Sequence, residues 1–118
     1  MKSFKELLVW QKGMDLCQWV YQITDKFPAV EEFSLVTQIR RSAISIPTNI
    51  AEGWGRNSTK EYIQFLYIAR GSCAELESLT ILSDRLKYFN KEAVQDIRKE
   101  IESITMMINK LISKLKER

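Results

Sequence analysis

Apolar side chains recur at steps of three and four along four stretches of the chain, and breaks marked by Pro, Gly or Asn separate them. The first stretch predicts a helix from about Phe4 to Lys26, with Leu7, Trp10, Met14, Cys17 and Tyr21 as its inner stripe. It stops at Phe27-Pro28, because the residue before a proline is pushed out of the α region. The second runs from about Glu31 to Gly53, with Val36, Ile39, Ala43, Ile46 and Ile50 inside, and ends in the permissive Gly53-Trp54-Gly55. Ser58-Thr59-Lys60-Glu61 has the form of a capping box and starts a third helix. Its stripe is Tyr62, Phe65, Ala69, Ser72, Leu76, Leu79, Ser83 and Leu86. Asn90 caps a fourth helix, whose seam is Val94, Ile97, Ile101, Ile104, Ile108, Leu111 and Leu115. Helices of this length with such short connections pack as an antiparallel up-down-up-down four-helix bundle, all-α, in one domain spanning residues 1–118.

Two features exceed what such a bundle needs. The first helix carries Leu8, Leu16, Trp19, Val20, Ile23 and Phe27 outside its inner stripe, and the fourth adds Met107 and Ile112. A helix apolar on two faces is buried on two faces, so Trp19, Val20 and Ile23 are candidates for an oligomer interface. The second feature is Pro47, well inside the second helix, where it removes a backbone bond and predicts a kink near Ile46, with Ser42 and Ser45 placed to satisfy freed backbone groups. Gln38, Arg41, Ser45, Asn49 and Glu52 make a polar stripe on the same helix. A solvated face is the plain reading of it. A structural network between helices is the sharper one, joining Arg41, Asn49 and Glu52 to Glu75 on the third helix.

Composition narrows the chemistry. Among 118 residues there is no His, which removes Ser-His-Asp and Cys-His nucleophile pairs, Glu-x-x-His di-iron sites and most catalytic zinc sites. No enzyme activity, cofactor or metal is expected; a Glu52–Glu75 pair would be a poor ligand set. Cys17 and Cys73 occupy apolar periodic positions and read as small core residues. No stretch approaches the roughly 18 uninterrupted apolar residues of a membrane span, and Glu6 and Asp15 spoil a signal peptide, so the expectation is a cytoplasmic protein. The net charge of +3 is uneven. Residues 33–74 hold five basic and two acidic side chains, against four and five before them and nine and eight after. The excess centres on Arg40, Arg41, Arg56, Lys60 and Arg70.

The opening Phe4-Lys5-Glu6-Leu7-Leu8-Val9-Trp10-Gln11-Lys12, the Gln38–Gly53 block with Ser45, Pro47, Asn49 and Ala51-Glu52-Gly53, and Gly71-Ser72-Cys73-Ala74-Glu75-Leu76-Glu77 resemble a known family. It is that of the bacterial four-helix-bundle proteins encoded by intervening sequences in 23S ribosomal RNA genes. The resemblance implies a homopentameric ring of four-helix subunits. It also extends to the accessory protein of diversity-generating retroelements, which binds nucleic acid and a reverse transcriptase through a basic surface. By that analogy Arg40, Arg56, Lys60 and Arg70 are candidate phosphate contacts for structured RNA or a ribonucleoprotein partner. A protein-interaction scaffold without nucleic acid is the alternative. A helix-turn-helix reading of Ala51-Glu52-Gly53-Trp54-Gly55 fits poorly, because the flanking helices are too long for that motif.

Overall fold

Four long helices account for most of the computed structural model, which describes residues 2–118: α1 (Leu8–Thr24), α2 (Leu35–Trp54), α3 (Thr59–Arg85) and α4 (Lys91–Lys116). Among the described residues there is no strand. Short 3₁₀ turns at Phe4–Glu6 and Ala29–Glu31 precede α1 and α2. Both helices therefore begin later than periodicity predicts. Leu7 is extended (φ −73°, ψ 122°), and it ends the first turn before α1 starts. The body measures 46 × 23 × 20 Å, in keeping with a 27-residue α3 rising about 1.5 Å per residue. α2 packs against both α1 and α3, α3 against α4, and α1 more sparingly against α4.

The predicted caps are present. Ser58 Oγ accepts from the Glu61 N–H at 3.2 Å, and Asn90 Oδ1 accepts from the N–H groups of Glu92 and Ala93 at 2.8 and 3.3 Å. The inner stripe of α2 is buried throughout, as is the α4 seam except for the half-buried Leu111. α3 needs amendment: Ile63, Leu66, Cys73 and Thr80 join its buried face, while Leu86 is exposed.

α1 corrects the sequence reading more deeply. Its buried residues are Val9, Gly13, Leu16, Val20 and Thr24, whereas Met14 and Tyr21 are exposed. At 100° per residue the true core stripe is rotated by about 100° from the predicted one. Leu16, Val20 and Phe27, read as surplus, are core residues, and Ile112 of α4 is core as well. Val20, 2% exposed, therefore has no surface to offer another subunit. Trp19 and Ile23 are half-buried against the core. On this face Gly13 lies against Pro47 of α2, where an added Cβ would stand 3.4 Å from Pro47 Cβ.

The Gly53-Trp54-Gly55 run also works differently from expectation. α2 continues through Gly53, Gly55 caps it at φ −80°, and no described glycine has a positive φ. Gly53 is needed for proximity instead: a Cβ there would stand 2.9 Å from Phe65 Cβ and 3.2 Å from the Tyr62 carbonyl oxygen.

Candidate nucleic-acid interface

The four cationic side chains singled out from sequence do not act alike. Arg40, on the buried side of α2, is tied to the end of α1. Its Nε donates to Thr24 Oγ1 at 2.9 Å, and its Nη2 donates to the Tyr21 carbonyl at 3.3 Å and to Asp25 Oδ1 at 2.8 Å. The guanidinium also lies 4.5 Å above the Tyr21 ring. A cation held by a carboxylate, a carbonyl and an aromatic face is a clamp on the C-terminus of α1, where positive charge opposes the helix dipole. Arg40 is thus withdrawn from the expected phosphate surface.

Arg56, Lys60 and Arg70 are exposed. Arg56 sits in the α2–α3 connection, 4.6 Å above the Phe65 ring, and pairs with Glu52 at 3.2 Å. Lys60 lies in the first turn of α3. Arg70 donates to Asn109 Oδ1 of α4 at 2.9 Å and stands 4.9 Å from the centre of the Tyr67 ring. Lys116 reaches the same ring at 5.7 Å. Between α3 and α4 these groups line a groove of about 450 Å³, completed by Ile112 and Ser113. Two cations gathered over one aromatic ring put positive charge where a phosphate can be held. The sequence reading missed Tyr67 and Lys116. Tyr67 stands three residues from Arg70, a spacing that signals a shared helix face, but Lys116 lay in a basic tail that reads equally well as dipole compensation.

The expected polar network takes a different form. Arg41 and Glu75 are exposed and make no hydrogen bond or ion pair among the described residues, and Glu52 holds only Arg56. The polar link between α2 and α3 runs through small side chains: Asn49 Nδ2 donates to the Ser45 carbonyl at 2.7 Å and to Ser45 Oγ at 2.9 Å, and Ser72 Oγ donates to Ser45 Oγ at 2.8 Å. Asn49 is the one member of the predicted set that takes part. Ser42 Oγ donates to the Ile39 carbonyl of its own helix.

The described residues hold no group of three or more His, Cys, Asp or Glu side chains able to bind a metal ion. Both cysteines are free, and burial pushes the Cys73 thiol up to about 11, against a weaker lowering by Thr105, so it carries no thiolate near neutral pH. Among the described residues no helix is long and apolar enough to cross a membrane.

A family model described as 23S rRNA-intervening sequence protein matches residues 5–110. A solved structure from Bacteroides thetaiotaomicron VPI-5482, described as a protein with unknown function from the S23 ribosomal protein family, is 26% identical. The match covers 89% of this chain and 98% of that one, with a TM-score of 0.81. No curated protein matches.

Proposed function

Since the chain belongs to the family of 23S rRNA-intervening sequence proteins, we propose that it is a non-enzymatic, cytoplasmic helical module that binds structured RNA through the α3–α4 groove. In this reading it is an antiparallel up-down-up-down bundle that assembles into a homo-oligomeric ring. The observation that carries the proposal is the convergence of Arg70 and Lys116 on the Tyr67 ring, with Arg56 and Lys60 exposed elsewhere on the same helix and its leading connection. A net charge of +3 per chain is modest, but a ring multiplies each groove into a repeated field for a phosphate backbone. The test is binding of a transcribed 23S rRNA segment across a salt series. Log affinity should fall linearly with log salt, and the Arg70→Glu/Lys116→Glu double variant should abolish binding while leaving the assembly unchanged. Undetectable binding by the wild type at low salt would overturn the proposal.

A specific observation favours the scaffold alternative. Val30 and Phe33, in the connection between α1 and α2, are 83% and 89% exposed. Leu8, Met14 and Tyr21 of α1 are also exposed, beside the half-buried Trp19 and Ile23. Apolar groups so placed suit contacts with other protein surfaces, including copies of this chain. Light scattering of the wild type and of Phe33→Glu and Trp19→Glu tests the assembly that both readings share: an oligomer loses mass with these variants, a monomeric wild type refutes the ring and its interface, and RNA binding across the salt series separates the readings.

A further inference from the structure

α3 carries a second heptad seam beside the one its bundle uses. The seam facing the core runs through Leu66, Ala69, Cys73, Leu76 and Thr80, all buried. About 100° round the helix, steps of four and three lead from Ile68 through Ser72, Glu75, Leu79 and Leu82 to Leu86. Apolar residues at heptad spacing are the pattern by which one helix packs along another. Here α2 meets only the inner edge, where Ser72 donates to Ser45, and Ile68, Leu82 and Leu86 stay 50%, 43% and 45% exposed.

The charges beside this seam select what covers it. α2 and α3 run in opposite directions along the face, since Gly53 lies against Phe65, Ser45 against Ser72, and the Glu31 carboxylate accepts from Tyr88. From the Ser45–Ser72 contact, Arg41 is four residues back along α2 and Glu75 three residues forward along α3, so the two stand level to within about 2 Å. Arg41 lies about 40° round α2 from Ser45, and Glu75 about 60° round α3 from Ser72. Both are exposed, and neither has an ion-pair partner among the described residues. A face with one unpaired cation and one unpaired anion side by side is complementary to its own copy. A two-fold axis parallel to the helices keeps every height and exchanges the helices, so Arg41 of each copy meets Glu75 of the other. The same operation brings Phe33, 89% exposed before α2, to the Leu82–Leu86 end of the second copy's seam.

We propose that the α2–α3 face binds a second copy of this chain as an isologous pair, through Arg41, Glu75 and the Ile68–Leu86 seam. A two-fold pair is the smallest closed ring, so the inference deepens the self-assembly reading and rests on it. Arg70 lies about 140° round α3 from Glu75, which leaves the α3–α4 groove open in the pair.

The test is light scattering of the full chain at micromolar concentration, where the wild type should have twice the mass of one chain. Arg41→Glu sets acid against acid at both reciprocal contacts and Glu75→Arg sets base against base, so each variant alone should pair roughly tenfold or more weakly. Mixed in equal amounts, the two variants supply each other's missing charge at both contacts, and the mass of the pair should return. Both residues are exposed, so each variant should keep the helical circular dichroism of the wild type. Ile68→Glu, on the seam itself, should dissociate the pair and stay dissociated in either mixture. A monomeric wild type overturns the pair and the ring together. Single variants that keep the wild-type mass, or a mixture that does not reassemble, overturn this face alone. If that same oligomer loses mass with Trp19→Glu, the ring stands and its interface lies on α1.

Discussion

Two regions of the molecule use the same kinds of residue to opposite effect. Where the α1–α2 and α3–α4 connections meet, Phe27 packs against Tyr88 and Phe89 with ring centres 5.5 and 5.4 Å apart, the Tyr88 hydroxyl donates to Glu31 at 2.9 Å, and Arg40 is held by three acceptors. At the α2–α3 connection Trp54 and Tyr62 pack edge to face at 6.4 Å, yet the Tyr62 hydroxyl has no partner, and Arg118 pairs with nothing described. Each region has an aromatic cluster, a tyrosine hydroxyl and an arginine. In the first, acceptors from another segment meet each donor, and the result is a clasp. In the second, the buried hydroxyl is left without an acceptor, and the rings pack without a clasp.

The sharpest way to break this contrast is to remove the ring at the centre of the clasp. Phe27 is 7% exposed and touches both connections, so Phe27→Ala should cost about 3–5 kcal/mol, measured by urea unfolding. Trp54 is only half-buried, and Trp54→Ala should cost clearly less. Equal losses would show that the two clusters bear on stability alike.

Glycines sharpen the comparison next. Gly53→Ala places a methyl 2.9 Å from Phe65 Cβ and 3.2 Å from the Tyr62 carbonyl oxygen, so α2 and α3 must part near their connection, at about 1–3 kcal/mol. Gly13→Ala meets Pro47 at 3.4 Å, ordinary contact, and gains the better helix propensity of alanine. It should be neutral or stabilising by up to about 1 kcal/mol. Thermal melts of the two variants should therefore move in opposite directions, and a neutral Gly53→Ala would show that the α2–α3 approach is loose.

Arginines give the third contrast. Arg40→Met removes a side chain 26% exposed with three acceptors, one of them the buried Thr24, and should lose about 1–2 kcal/mol while leaving RNA binding intact. Arg70→Met should leave stability within about 0.5 kcal/mol and weaken RNA binding. Melts and a filter-binding series on both variants check the pair; the reverse pattern would return Arg40 to the binding surface.

These contrasts also mark how far the sequence could be read. Periodicity reveals four helices, the core of α2, which has one apolar stripe, and most of that of α4, whose Ile112 lies beside the seam it marks. In α1 two stripes about 100° apart are both apolar, and periodicity alone does not choose between them; the buried one carries Gly13, which lies against Pro47. Local chemistry at Ser58 and Asn90 was legible, since a cap bonds within its own turn. Arg40 was misread because its acceptors Thr24 and Asp25 belong to another segment, and no local spacing encodes that meeting. Glu75 was placed opposite Arg41 by register, but it lies on the solvent side of α3, so the link passes to Ser72 instead.

The smallest expected effect concerns the clasp's carboxylate. Glu31 accepts from the Ser34 hydroxyl at 2.8 Å and from Tyr88 at 2.9 Å, and these bonds, Ser34 first, hold its carboxyl below the usual range against a slight opposing desolvation. The bond to Glu31 in turn raises the Tyr88 phenol. Because the folded Glu31 carboxyl is the stronger acid, the unfolded chain binds more protons in this range and stability rises with pH. The contribution is complete above the unfolded value of about 4.3 and is lost as pH falls through the lower folded value. For Tyr88 the sign reverses: the contribution is complete below about 10 and is lost as pH rises through the elevated folded value. The Tyr88–Glu31 bond underlies the alkaline limb and part of the acid one, so Tyr88→Phe should remove the first and reduce the second, leaving the share held by Ser34. The stability gap between wild type and Tyr88→Phe should be flat across neutral pH, narrowing below about pH 4 and again above about pH 10. A gap that stays constant from neutral pH down to about pH 3 would mean that the Tyr88–Glu31 bond adds nothing to folding. The clasp would then be held by Phe27 packing and Arg40 alone, and its satisfied hydroxyl would differ from that of Tyr62 in geometry but not in energy.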